Sequence, residues 1–166
     1  MSILDAEISF KKGLVALVKG NAAQALVCFE SAVRTERARK VQRPQMRYLS
    51  YYGLASALTR KPTPESIRAC EMAARTDSFN PDLELNLGKV YLLAGQRSKA
   101  RAAFGRGLRL SPEHAGLKNE LARMEHADRA AGRRGLGFDQ ALGALRSAVS
   151  SVAHRLGPAR RDASTP

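Results

Sequence analysis

Tryptophan is absent from this 166-residue chain, and only four tyrosines and five phenylalanines supply aromatic bulk. A core with so few large rings depends on small side chains that let backbone elements approach closely. Cysteine is equally scarce. Cys28 and Cys70 are the only two, which excludes a disulfide-stapled scaffold and leaves buried, reduced thiols as the expectation. No apolar run approaches the roughly 20 residues needed to cross a bilayer. Met1 to Glu7 shows no basic segment ahead of an apolar run, so no secretory signal is expected and a soluble, cytoplasmic protein is. Nothing alternates with period two for long enough to build a sheet. Acidic residues are few as well: 15 stand against 28 Lys and Arg, a net charge of +13. Such a balance attracts polyanions without selecting among them.

Catalysis finds no foothold either. His114, His126 and His154 lie far apart, and none has a second histidine or cysteine at metal-ligand spacing on its helix. The glycines of Gly132 to Gly137 follow no strand and lack the Lys-Ser/Thr ending of a phosphate-binding loop. Pairs such as Glu125 and Asp128 read as solvated helix charges. No enzyme activity, metal or cofactor is expected.

What is present is periodic. Leu87-Gly88-x-x-Tyr91 is followed by Gly95, then by Ala100-x-x-x-Phe104, Gly107 and Pro112. Gly13, Gly20, Ala25, Phe29 and Ala32 stand at the same mutual offsets as Gly88, Gly95, Ala100, Phe104 and Gly107. A weaker copy holds Tyr52-Gly53, Ser66, Cys70 and Ala73, so the leading glycines are 40 and 35 residues apart. The chain thus resembles a protein of three tetratricopeptide repeats, whose pattern is W-x2-L-G-x2-Y, A-x3-F and P at a 34-residue period. The resemblance implies an all-α solenoid of helix–turn–helix units, a right-handed superhelix. The spacings have a physical basis. Small residues at Gly13, Gly53 and Gly88 let the second helix of each pair approach, with Phe29 and Phe104 filling the remaining space. Gly20 and Gly95 suit a left-handed helix end.

Departures from the family pattern mark this chain. Ser9, Leu49 and Glu84 replace the leading aromatic, and Ala16 and Ser56 replace the tyrosine in the first two copies. Arg37 and Ser78 stand where prolines are expected. The first repeat runs on through Arg43 to Pro44, which predicts a second helix about two turns longer than usual. Pro81 and Pro112 read as stops. The expected organisation is three repeats at about 5–40, 45–79 and 80–113, and a capping helix to residue 128. A basic Gly/Arg linker follows over 129–137, an amphipathic helix over 138–157 and a disordered tail over 158–166. In that helix Phe138, Leu142, Leu145, Val149, Val152 and Leu156 form one stripe spaced 4, 3, 4, 3, 4. It fits packing on its own repeats, pairing between two chains, a membrane surface, or docking on another protein.

The resemblance also implies a concave groove lined by the first helices. Counted from the glycines, its positions hold Phe10, Leu14 and Leu17, then Tyr51, Leu54, Ala57 and Leu58, then Leu85, Lys89 and Leu92. That surface is apolar, which suits a peptide or an amphipathic helix; the alternative is that some of these side chains are packed within the helix pairs. The family's clamp for acidic chaperone tails uses basic and amide side chains at the positions of Phe10, Leu14, Tyr51, Asp82 and Asn86; only Asn86 could bind a carboxylate there and Asp82 would repel it, so that use is not expected. A basic patch of Arg34, Arg37, Arg39, Lys40, Arg43 and Arg47 reads as a solvated face, an acidic partner's docking surface, or a nucleic-acid site through phosphate contacts. Few aromatics interleave with those cations, which disfavours base stacking. The expected function is non-enzymatic protein–protein interaction, as an adaptor, assembly factor or small chaperone. Its groove takes a peptide or helix, and the chain's own helix 139–156 competes there or links two copies.

Overall fold

The computed structural model describes residues 3–131. Six helices follow one another: α1 (Ile3–Val18), α2 (Ala22–Ala38), α3 (Met46–Arg60), α4 (Pro64–Thr76), α5 (Pro81–Leu93) and α6 (Arg97–Leu110). A seventh, α7, occupies residues 115–131. Residues up to Leu121 form one compact unit. The stretches 138–157 and 158–166 lie outside the described residues, as does most of 129–137. Among the described residues no helix is long and apolar enough to cross a membrane.

Local chemistry sets the helix ends. Gly20 and Gly95 close α1 and α5 at φ of +75° and +73°. Both make the same paired closure: Gly20 N–H to Leu17 O and Asn21 N–H to Ala16 O, then Gly95 N–H to Leu92 O and Gln96 N–H to Tyr91 O. Asn21 caps α2 by accepting from the Gln24 N–H at 3.0 Å. Thr63 and Ser66 cap α4 reciprocally, and Pro64 occupies its first turn. Pro81 was expected to stop the second pair; it starts α5 instead, behind an Asn80 cap. Proline lacks only an N–H that no helix start can use.

Each consecutive pair, α1–α2, α3–α4 and α5–α6, packs together; α2 then packs on α3, α4 on α5, and α3 beside α5. The leading glycines explain the close pairing. A Cβ on Gly13 would stand 2.5 Å from Phe29 Cε1, and one on Gly53 2.7 Å from Cys70 Sγ. At Gly88 it would overlap the Phe104 ring. The scarce aromatics are concentrated: Phe10, Phe29, Tyr48 and Tyr51 join α1, α2 and α3 with ring centroids 4.8–5.5 Å apart. Such tilted and edge contacts add about 0.5–1.5 kcal/mol each beyond burial.

Two boundaries differ from expectation. α2 has 17 residues against 13 in α4 and 14 in α6, about one extra turn rather than two. Lys40 turns to φ +48°, and the backbone leaves the helix before Pro44. At the other end α7 begins at residue 115, where Leu117 sits fully buried. A Cβ on Gly107 of α6 would come 2.7 Å from its Cδ1. That helix continues to 131, three residues into the segment expected as linker.

Candidate functional site

The first helices of the three pairs bring equivalent positions side by side. Three residues before the leading glycine stand Phe10, Ser50 and Leu85, all buried. One residue after it come Leu14, Leu54 and Lys89, and four after it Leu17, Ala57 and Leu92. Phe10, Leu54 and Leu85 are core residues. They are therefore not presented to a ligand: Phe10 packs on Phe29, Tyr48 and Tyr51, and Leu85 lies beside Gly116 of α7. Leu14, Leu17 and Tyr51 are partly buried against the α1–α3 core. Lys89 and Leu92 are partly exposed, and Leu58 is exposed. At Leu58's own offset, five residues past each glycine, Val18 and Leu93 are exposed too. Sequence reasoning named only Leu58, although the 40- and 35-residue steps point to the other two.

Polar groups lock the same helices together. Arg47 Nη2 donates to Glu7 Oε2 at 2.6 Å, and the Tyr48 hydroxyl donates to that oxygen at 2.5 Å. The guanidinium also lies over the Phe10 and Tyr48 rings, 5.0 and 5.4 Å from their centroids. Its Nε is buried without a hydrogen-bond partner. Arg47 therefore ties the α1–α3 junction, while its side chain stays 42% exposed. Burial, reinforced by the bond to Glu7, pushes the Tyr48 hydroxyl up to about 12. Burial likewise raises Tyr51, with the charge of Asp82 as the second cause. Deeper still, Asn86 donates to Ser50 Oγ at 3.2 Å. The Cys70 thiol donates to Ser50 O at 3.3 Å and is pushed up to about 12, mainly by burial. It is an inert core thiol; Cys28 is only half-buried, and both are free.

Toward the far end of the face, Lys89 comes 3.9 Å from Glu120. His114 accepts at Nδ1 from the Leu117 N–H, so its Nε2–H faces Asp82 at 2.9 Å. Among the described residues no group of three or more His, Cys, Asp or Glu gathers as a metal site.

The remaining cations of the patch, Arg34, Arg37, Arg39, Lys40 and Arg43, are all exposed on the end of α2 and the connection after it. Glu36, beside them, is buried. Both its carboxylate oxygens accept the Gln45 N–H, at 3.0 and 3.1 Å, which clasps that connection. Beside it lies a cleft of about 210 Å³ whose walls include Val33, Val41, Pro44, Leu49 and Met72. The basic run was legible in sequence; this cleft was not, since Met72 arrives from α4.

Three solved structures share this arrangement. The human RPAP3 first TPR domain superposes with a TM-score of 0.62 at 15% identity, covering 80% of this chain and 98% of that one. The Arabidopsis OM64 TPR domain gives 0.59 at 18% identity, covering 75% and 98%. The first TPR of Spaghetti (RPAP3), bound to the HSP90 peptide SRMEEVD, gives 0.59 at 16%, covering 76% and 95%. No protein-family model matches the sequence, and no curated protein matches it. The α-helical pairs, their glycine–phenylalanine contacts and these superpositions agree: the chain has the fold of a tetratricopeptide repeat domain.

Proposed function

We propose that this protein is a non-enzymatic interaction module of the cytoplasm, an adaptor, assembly factor or small chaperone. Its groove along α1, α3 and α5 takes an amphipathic helix. The observation that carries this reading is the row of exposed apolar side chains at one equivalent position of all three first helices, Val18, Leu58 and Leu93, with the partly exposed Leu14, Leu17 and Leu92 beside them. A neighbour of this fold is bound to a peptide, which supports a peptide-like ligand. An acidic tail is a poor fit, because Asp82 would repel it and Phe10 is buried. The chain's own stripe over 138–156 has the required chemistry and competes for the groove.

The test titrates a labelled synthetic peptide of residues 138–156 into the full chain and into its Leu145→Asp/Val149→Asp variant. The variant, freed of its own competitor, should bind more tightly, and adding Leu58→Asp should weaken binding at least tenfold. SRMEEVD should not bind. Equal affinity for both chains removes the competition, and binding indifferent to Leu58→Asp removes the groove. A second reading rests on the five exposed cations between Arg34 and Arg43, which suit an acidic surface or nucleic acid. A short duplex that fails to bind even at low salt excludes the nucleic-acid form of it.

A further inference from the structure

The first helix leaves open an apolar face that its counterparts bury. Counted from Gly13, Gly53 and Gly88, Ile8 corresponds to Tyr48 and Leu83, and Val15 to Ala55 and Val90. Tyr48 is 2% exposed and Leu83, Ala55 and Val90 are 0%. The helices that carry them each have a preceding second helix packed on them, α2 on α3 and α4 on α5. Among the described residues nothing precedes α1 in that role, and Ile8 is 43% and Val15 54% exposed. The two lie seven residues apart, on one side of the helix. Repeat arrays ordinarily turn a polar face to water at their ends; here the residue types are those of an interface that receives a helix. Between them stand Lys11 and Lys12, where α5 carries Asn86 and Leu87. Ile8, Lys11, Lys12 and Val15 line one open hollow. Lys11 is largely exposed and reaches Glu7 only at 4.0 Å.

We propose that this outer face of α1 docks an amphipathic helix of another protein, apolar toward both ends of the contact and acidic at its centre. Equivalence with Leu83 and Val90 gives the helical shape, since a second helix covers those residues. The two lysines give the charge, and a net charge of +13 steers an acidic partner toward the molecule. A second copy is disfavoured: two α1 faces meeting about a two-fold axis would bring four lysines together. Residues 138–156 are disfavoured as well, because Asp139 is their only acid and stands at one end. This face is distinct from the groove, so the two readings fail separately.

The experiment uses an 18-residue alanine-based helix with a leucine stripe and two central glutamates, titrated by anisotropy into the full chain. A control carries lysines in place of the glutamates. The glutamate helix should bind saturably and at least tenfold more tightly than the control. Val15→Asp should cost at least tenfold, while Leu58→Asp in the groove should leave binding unchanged. Lys11→Glu/Lys12→Glu, on exposed positions that do not support the core, should reverse the preference between the two helices. Indifference to probe charge, or loss through Leu58→Asp instead of Val15→Asp, overturns the proposal. So does displacement of the glutamate helix by an equal amount of the 138–156 peptide, or a dimer in sedimentation that Val15→Asp dissolves.

Discussion

At the scale of single residues, glycine does two opposite things on neighbouring helices. Gly88 on α5 faces the Phe104 ring with no room for a Cβ, whereas Gly105 on α6 has nothing within 4 Å of one. Phe104 is fully buried and has nowhere to go. Gly88→Ala should therefore destabilise the fold by about 1–3 kcal/mol, the usual cost of overpacking. Gly105→Ala should stabilise it by about 0.5–1 kcal/mol by relieving the entropy of a mid-helix glycine. Thermal melts followed by helix signal check both; a shared direction would mean that helix propensity and not packing governs these sites. The role of Gly88 was legible because its contact partner recurs at a fixed offset. Gly105 lies outside the pattern, and its freedom shows only in space. Arg47 is a related case: it follows a run of exposed cations in the chain, yet its partner Glu7 lies 40 positions upstream, the separation of the first two leading glycines. The repeat spacing thus also holds this ion pair.

At the scale of elements, the turns separate the regular repeats from the irregular middle one. The first and third pairs place glycine at the left-handed end of the first helix, and that was readable from Gly20 and Gly95 alone. The second pair has no glycine there. Lys61 takes φ +71° with ψ 154° after α3, a region almost confined to glycine, where other residues cost on the order of 1–3 kcal/mol. Lys61→Gly should relieve most of that strain, less the entropy that glycine adds to the unfolded chain. The expected gain is about 1 kcal/mol, seen as a higher urea midpoint at unchanged slope. A lower midpoint would mean that Lys61 makes compensating contacts that outweigh its backbone strain. The end of α2 was less legible. Helix-forming residues continue to Arg43, and the break depends on the clasp of Gln45 by Glu36, a contact nine residues long with no motif to announce it. Burial of Phe10, Leu54 and Leu85 was less legible in the same way, since offsets from a glycine give a helix face but not which neighbouring helices pack on it.

At the scale of the whole molecule, buried hydroxyls set how stability changes as pH rises. Repeat spacing disclosed the solenoid, and composition disclosed the charge of +13, but neither showed that the few tyrosines serve as ties between helices. Tyr48 is bound to Glu7, and Tyr91 donates to Glu71 at 2.6 Å. Both are pushed up to about 12 from the ordinary 10, first by burial and then by those carboxylates. A group whose folded pKa is raised stabilises the fold fully below its unfolded value, and that stability is lost as pH climbs toward the folded one. The thermal midpoint should therefore hold up to about pH 9, begin to fall as the Cys70 contribution is lost, and fall steeply between about 10 and 12 as the tyrosines follow. Tyrosinate absorbance should grow together with the loss of helix signal, because the unfolded chain is the form that ionises. In a Tyr48→Phe/Tyr91→Phe variant the starting midpoint should be lower, since two interhelical bonds are gone, but the alkaline fall should be shallower. Tyrosinate appearing well before any loss of helix would show that these hydroxyls ionise within the fold and do not set its alkaline limit.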